Sequence, residues 1–86
     1  MNDLSNIRHE IQDIDLKILE LFEKRMNCVL KIKEIKKMNH SPIEDVEFEN
    51  QKKEFLLSHL NHVEFKEAYL ELFEKYLELS KKFQMK

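Results

Sequence analysis

The chain has 86 residues, of which 42% are hydrophobic and 37% are charged, so its composition fits one small soluble domain rather than a disordered segment. It contains no glycine and one proline, which argues against tight β-hairpins, glycine-rich phosphate loops and dinucleotide-binding turns, because these need backbone angles that glycine adopts most easily. We therefore expect one all-α domain spanning residues 1–86.

Charge, apolar runs and cysteine content indicate which partners and which cellular compartment to expect. The chain has 15 Lys and Arg residues and 17 Asp and Glu residues, which gives a formal charge of −2, and its basic residues form no continuous block. We therefore expect no nucleic-acid partner. The N-terminal residues do not resemble a targeting signal, and no stretch is apolar for ~18 residues, so we expect no membrane association. A single cysteine, Cys28, can form no internal disulfide, and together these features predict a cytoplasmic protein.

A very long first helix is predicted by apolar residues spaced three and four apart, with a second row beside them. The helix should run from about Leu4 to about Met38, before a polar loop around Pro42. At ~1.5 Å per residue it would be ~50 Å long, whereas a compact domain of this length has a radius of gyration of only ~12 Å. The first row is Leu4, Ile7, Ile11, Ile14, Ile18, Leu21, Arg25, Cys28, Ile32 and Ile35, and the second is Arg8, Asp15, Phe22, Val29 and Lys36.

Two shorter helices are predicted to follow. The second begins between Ser41 and Val46, where Ser41 and the following proline resemble a capping box, and runs to about Leu60. Its candidates for burial are Val46, Phe48, Phe55, Leu56 and Leu60. The third follows the polar pair at residues 61–62 and continues almost to Lys86. Two short helices cannot cover an apolar band more than thirty residues long, so we expect a second copy of the chain to cover it in an intertwined homodimer.

Cations interrupt the apolar band at three places. A single polar residue in such a seam ordinarily fixes its register, but Arg25 and Lys36 are only ~16 Å apart by helix rise and could lean towards one anion between them. A carboxylate would supply the counter-charge that a half-buried guanidinium needs. Arg8 is ~25 Å from Arg25 along a rigid helix, so only an antiparallel partner helix could bring its own Arg8 to the same pocket.

Two polar pairs are spaced four residues apart, so that each pair shares one helix face. Asp45 and Glu49 lie where acids commonly stabilise a helix N-terminus, and Ser80 and Gln84 would ordinarily be solvated residues at the edge of an apolar face. We expect no metal site, because the histidines have no supporting cysteine or acid cluster. No serine or cysteine has an adjacent base that would indicate a nucleophile.

Taken together, the segments IRHEIQDIDLKILELFEKRM, KEIKK, SPIEDVEFE and LELSKKFQ resemble the all-helical chorismate mutase family over essentially the whole chain. Five ordered features carry the resemblance. They are the arginine of an I-R-x-x-I-x-x-I-D opening, the arginine of K-R-M, a lysine eleven residues later, a P-I-x-D-x-x-x-E segment and a terminal S-x-x-x-Q.

The resemblance implies an intertwined helical homodimer that rearranges chorismate to prephenate, on the way to phenylalanine and tyrosine, without cofactor or metal. It further implies that the partner's Arg8 and the chain's own Arg25 hold the two substrate carboxylates. Lys36 and Gln84 would donate to the ether oxygen of the breaking bond. Asp45 and Glu49 would hold the ring hydroxyl of the substrate and nearby polar groups, and Ser80 would help to bind a carboxylate.

One position departs from the family pattern. Many relatives have an arginine immediately before the glutamate, where this chain has Phe48. The substitution removes a cation from the edge of the pocket, so we expect weaker substrate binding or an altered preference. Two alternatives stay open: an isochorismate pyruvate lyase, which resembles this family in fold and acts on an isomeric dianion, and a non-catalytic helical dimerisation or regulatory module.

Overall fold

The computed structural model describes residues 3–86, which form three α-helices. They are α1 (Asp3–Asn39), α2 (Val46–Leu57) and α3 (Lys66–Met85), and a 3₁₀ turn at Val63–Phe65 leads into α3. The all-α prediction is therefore confirmed, and α1 extends one residue beyond the predicted range at each end. No helix in the described part of the chain is both long and apolar enough to cross a lipid bilayer.

The long first helix ends in a left-handed turn at His40. This residue has a φ of 56°, a region that glycine adopts without strain and other residues adopt at a cost of ~1 kcal/mol or more. The His40 amide donates to the Lys37 carbonyl at 3.4 Å, and the Ser41 amide donates to the Lys36 carbonyl at 2.9 Å. This bonding pattern is the Schellman motif, which terminates helices and turns the chain back.

The second helix starts later than the capping box predicts. Ser41 lies in the turn that closes α1, where its amide donates to the Lys36 carbonyl, and the residues between it and Val46 are not helical. The cap is Asp45, whose Oδ1 accepts from the Phe48 amide at 3.0 Å. The start of α2 at Val46 therefore falls at the late end of the predicted range, and the capping box that Ser41 resembles is not formed.

The second helix also ends earlier than the predicted Leu60. The Ser58 hydroxyl donates to the Phe55 carbonyl at 2.6 Å, a local side-chain bond that competes with helix continuation. The amides of His59 and Leu60 then donate three residues back rather than four. This tighter turn closes α2 at Leu57 and directs the chain towards α3.

The enclosed core lies where α3 packs on the C-terminal half of α1. Phe73 of α3 is 2% exposed and Val29 of α1 is 5% exposed, and Ser80 is the one buried polar residue among those described. Three apolar residues predicted to be buried in α2, Val46, Phe48 and Phe55, are exposed in the single chain. The core is therefore small, and it is centred on the α1 and α3 contact.

The N-terminal half of α1 projects beyond this core. The chain measures 58 × 25 × 16 Å and has a radius of gyration of 16.4 Å, well above the ~12 Å of a compact domain of this length. The apolar residues of the first row remain about half exposed along this overhang: Leu4, Ile7, Ile11, Ile14 and Ile18. An uncovered apolar stripe of this length is typical of an interaction surface.

Candidate active site

One cavity of about 150 Å³ gathers six of the seven predicted site residues. It lies beside the core, between the C-terminal half of α1, the start of α2 and the last turns of α3. The six are Arg25, Lys36, Asp45, Glu49, Ser80 and Gln84. Residues far apart in the sequence thus converge on one space beside the core.

Arg25 is held in a fixed position by α3. Its Nη1 donates to the Ser80 hydroxyl oxygen at 2.6 Å, and its guanidinium carbon lies 4.9 Å from the centre of the Tyr76 ring. The Ser80 hydroxyl in turn donates to the Tyr76 carbonyl at 2.8 Å. Since that proton is already used, Ser80 in this arrangement supports Arg25, and the remaining guanidinium donors stay available to a carboxylate.

Lys36 is oriented by the turn that ends α1. The turn brings the following loop back over the helix, and the Lys36 ammonium donates to the Ile43 carbonyl at 2.7 Å. An ammonium group has three protons, so this bond fixes its position and leaves two donors. Lys36 therefore points into the cavity as an oriented cation.

The acidic pair at the start of α2 is held by protein contacts. Asp45 caps α2 through Oδ1, which leaves its second oxygen for another donor. Glu49 lies 3.3 Å from the Lys81 ammonium, which also contacts Glu44 at 2.9 Å. The hydrogen bond that Lys81 donates to Glu44 raises the pKa of Lys81 most, and the one to Glu49 raises it further, against the opposing effect of desolvation.

Gln84 presents a buried amide to the same space. Its Oε1 is buried and has no hydrogen-bond partner among residues 3–86. Leaving a buried polar atom unpaired costs ~1–3 kcal/mol, and such atoms call for a specific explanation. A polar occupant of the cavity would provide the missing partner.

Arg8 is the one predicted site residue that the chain does not bring to the cavity. It is exposed on the projecting half of α1 and is not among the lining residues. Seventeen residues of continuous helix separate it from Arg25, or ~25 Å. The geometry of one chain therefore excludes Arg8 from its own cavity.

Two lysines that the sequence reasoning missed, Lys52 and Lys81, also line the cavity. Lys52 follows Asp45 by seven residues and Glu49 by three, so helical spacing places it on the same face of α2. Extending the acidic pair by one helical turn would have found it. Lys81 lies between Ser80 and Gln84, three residues before Gln84, and that spacing places it near the face of the second pair.

The lining charges favour an anion. Four cations, Arg25, Lys36, Lys52 and Lys81, outnumber the two carboxylates, Asp45 and Glu49. The apolar walls include Val29, Ile32 and Leu77, and they lower the local polarity, which strengthens the electrostatic attraction for a charged ligand. No group of three or more potential metal-binding residues occurs in the described part of the chain.

Comparisons with known proteins bear on the family to which the chain belongs. The chain is 48% identical over 48 residues to a bifunctional chorismate mutase/prephenate dehydratase from Buchnera aphidicola subsp. Schizaphis graminum (strain Sg). That match covers 56% of this chain and 12% of the relative, so the chain spans only a small part of that protein's length. No solved structure is significantly similar. Residues 7–85 match the profile of the chorismate mutase type II family, and the chain belongs to that family.

Proposed function

We propose that this chain catalyses the rearrangement of chorismate to prephenate, which supplies phenylalanine and tyrosine synthesis. The observation that carries the proposal is that Arg25 and Lys36 of α1 and Gln84 of α3 line one cavity in which cations outnumber carboxylates. Family membership supports the same reaction. The substrate is a small dianion, and the excess of cations matches its charge.

The cavity contributes to the reaction by positioning its substrate. Arg25, held by Ser80 and Tyr76, binds one carboxylate of the substrate in a fixed orientation. The flexible substrate must adopt a compact chair for its two reacting ends to meet. Holding that conformation makes the ordering cost part of binding and lowers the barrier to the reaction.

Electrostatic stabilisation is the second contribution. As the C–O bond breaks, negative charge develops on the ether oxygen. A free Lys36 proton and the Gln84 amide group donate to that oxygen, which favours the transition state over the ground state. Because the reaction transfers no proton, fixed donors suffice and no general acid or base is needed.

The proposal includes a homodimer in which each cavity is completed by Arg8 of the other copy. Two observations support it: the exposed apolar stripe on the projecting half of α1, and the distance that excludes Arg8 from the cavity of its own chain. An antiparallel partner helix would cover the stripe and place its Arg8 near Arg25. The second substrate carboxylate would then have its own arginine.

The direct test is incubation of the purified protein with chorismate, following loss of chorismate absorbance and formation of prephenate. A parallel incubation with isochorismate, analysed for salicylate and pyruvate, tests for lyase activity. We expect prephenate from chorismate and little product from isochorismate. The opposite pattern would assign the lyase reaction, and inactivity on both substrates would favour a non-catalytic module.

A matched pair of variants connects the activity to the cavity. Arg25→Met removes the cation held by Ser80, whereas Lys24→Met removes the same charge from an exposed neighbour outside the cavity. We expect Arg25→Met to lose at least ~10²-fold in kcat/KM, as for the loss of a bidentate carboxylate contact, and Lys24→Met to remain near the parent. Equal activities for the two variants would contradict the proposed site.

A further inference from the structure

We propose that Lys52 is a substrate-binding residue that contacts a carboxylate of the dianionic substrate. Lys52 lies one helical turn after Phe48 on α2, and its positive charge takes the place of the cation that Phe48 does not provide. This inference rests on the proposed mutase function and assigns an additional residue to its binding site. Lys52 has no counterpart among the residues that the sequence motifs singled out.

The position of Lys52 supports a role inside the cavity. It lies on the face of α2 that carries Asp45 and Glu49, it is half buried, and it lines the cavity together with Arg25 and Lys36. Lys52 and Arg25 also both line the adjoining cavity between α1, α2 and α3. The two half-buried cations therefore line the same two cavities.

The contacts of Lys52 leave its charge uncompensated. Among residues 3–86 it makes no ion pair and no side-chain hydrogen bond; its ammonium lies 5.9 Å from the centre of the Phe48 ring. The nearby carboxylates have other partners, since Glu49 pairs with Lys81 and Asp45 caps α2. A half-buried ammonium without a counter-charge is costly, and a bound anion would offset that cost.

The electrostatic surroundings agree with this reading. Burial lowers the pKa of Lys52 from its ordinary value, and the positive charge of Arg25 lowers it further. A carboxylate between the two side chains would relieve both effects by pairing with both cations. A lysine whose long stem merely crossed an apolar surface would instead place its ammonium in solvent, away from Arg25.

Phe48 explains why a second position would be used. In the family pattern many relatives have an arginine at this place, whereas the Phe48 ring of this chain is 59% exposed at the cavity edge. The Lys52 ammonium lies near that ring, so a cation is present in the region where an arginine side chain at position 48 would extend. The two positions are alternative sources of one positive charge.

The test compares Lys52→Met with Lys53→Met, which removes the same charge from the next residue of α2, outside the cavity. A carboxylate keeps its charge throughout the rearrangement, so a lysine that pairs with it stabilises the ground and transition states to a similar extent, and its loss raises KM more than it lowers kcat. We expect Lys52→Met to raise KM for chorismate by about tenfold or more, and Lys53→Met to stay within about threefold of the parent.

A relocation experiment separates charge from packing. Phe48→Arg introduced into Lys52→Met should recover most of the lost affinity, because the cation returns to the same region from one turn earlier. Failure of the double variant to improve on Lys52→Met would overturn the inference, as would an unchanged KM in Lys52→Met or an equal loss in Lys53→Met. A fall in kcat at constant KM would likewise overturn the carboxylate contact.

Direct binding distinguishes this inference from the proposed function. Calorimetric titration with prephenate, a dianion that the mutase reaction does not consume further, measures affinity without turnover. We expect Lys52→Met to bind prephenate about tenfold more weakly than Lys53→Met. A parent protein that binds prephenate but does not convert chorismate would contradict the function alone, whereas equal affinities of the two variants would contradict the role of Lys52 alone.

Discussion

The two halves of α1 carry the same apolar spacing but differ in what covers them. In the C-terminal half, residues 21–39, α3 packs on the helix, Val29 is buried, and Arg25 and Lys36 face a cavity. In the N-terminal half, residues 3–20, no residue is buried, and Arg8 is exposed. The first apolar row is about half exposed there, as it is at Ile32 and Ile35 in the C-terminal half. A repeating pattern thus predicts which face of a helix is buried, but not which chain buries it.

This difference has a consequence for the site. The covered half holds Arg25 and Lys36, two of the predicted site residues, while the uncovered half holds Arg8, which the cavity of its own chain does not include. Under the proposed assembly, the surface that makes the dimer also carries the missing arginine. Folding, assembly and activity should then depend on the same projecting helix segment.

The largest effect is expected from placing a charge in the uncovered half. Ile14 is 48% exposed in the single chain, so Ile14→Glu would be tolerated by a monomer. In a dimer it would bury an unpaired carboxylate in each copy, at about 3 kcal/mol or more per chain, which weakens dimerisation by about 10⁴-fold. Sedimentation should show monomers, and activity should disappear at the same protein concentrations.

Leu16→Glu is the matched control, because Leu16 is exposed on the opposite side of the same helix. This variant should stay dimeric and active. If Ile14→Glu sediments like the parent and keeps its activity, the apolar stripe is not a dimer surface and the uncovered half needs another explanation.

A smaller but still large effect is expected in the covered half. Lys36→Ala removes an oriented donor from the cavity, and the loss of one donor to a developing negative charge typically lowers the rate by ~10²-fold or more. Helix content and dimerisation should be unchanged. Lys37→Ala, which alters an exposed neighbour, should behave like the parent, and a near-normal kcat/KM for Lys36→Ala would remove this lysine from the mechanism.

The third effect depends on pH. Gln84→Glu replaces a neutral amide in the cavity by a group that donates only when it is protonated. Its activity should therefore rise towards acid pH, while the parent should vary less across neutrality. Rate profiles measured on both proteins between about pH 4.5 and 8 would check this, and parallel profiles would exclude donation by Gln84.

The smallest effect concerns the turn that joins the covered half of α1 to α2. His40→Gly relieves the left-handed backbone at a φ of 56° and should raise the free energy of unfolding by up to about 1 kcal/mol. Asn39→Gly, one residue earlier at the end of the helix, should lower it by a few tenths of a kcal/mol. Urea unfolding at one fixed protein concentration measures both, and a destabilised His40→Gly would show that the histidine side chain contributes more than its backbone costs.

Much of the fold could be predicted from the sequence because the helices carry long, regular patterns. The limits of α1 follow from its apolar rows, and the absence of glycine leaves few alternatives to helix. The start of α2 could not be predicted in the same way, since Ser41 suits either the end of one helix or the start of the next. In the structure the Ser41 amide donates to the Lys36 carbonyl, so Ser41 belongs to the end of α1.

Part of the candidate site could also be predicted from the sequence pattern. Arg25 and Lys36 stand out because they interrupt an apolar band, and the cavity indeed brings them together. Lys52 does not stand out, because α2 is polar on much of its surface and a further lysine there resembles an ordinary solvated residue. Its importance depends on burial and on the nearness of Arg25, which only the packed structure reveals.

The measurement that most directly tests the shared cavity is complementation between two inactive variants. Arg8→Ala and Lys36→Ala homodimers should each be nearly inactive, because both of their cavities lack a required cation. When the two are unfolded together and refolded as a mixture, about half of the dimers should be mixed, with one cavity carrying both lesions and the other carrying none. We expect roughly a quarter of the parental activity to return if the cavities act independently. Mixed dimers that native mass spectrometry confirms but that show no recovered activity would contradict the assignment of Arg8 to the partner's cavity.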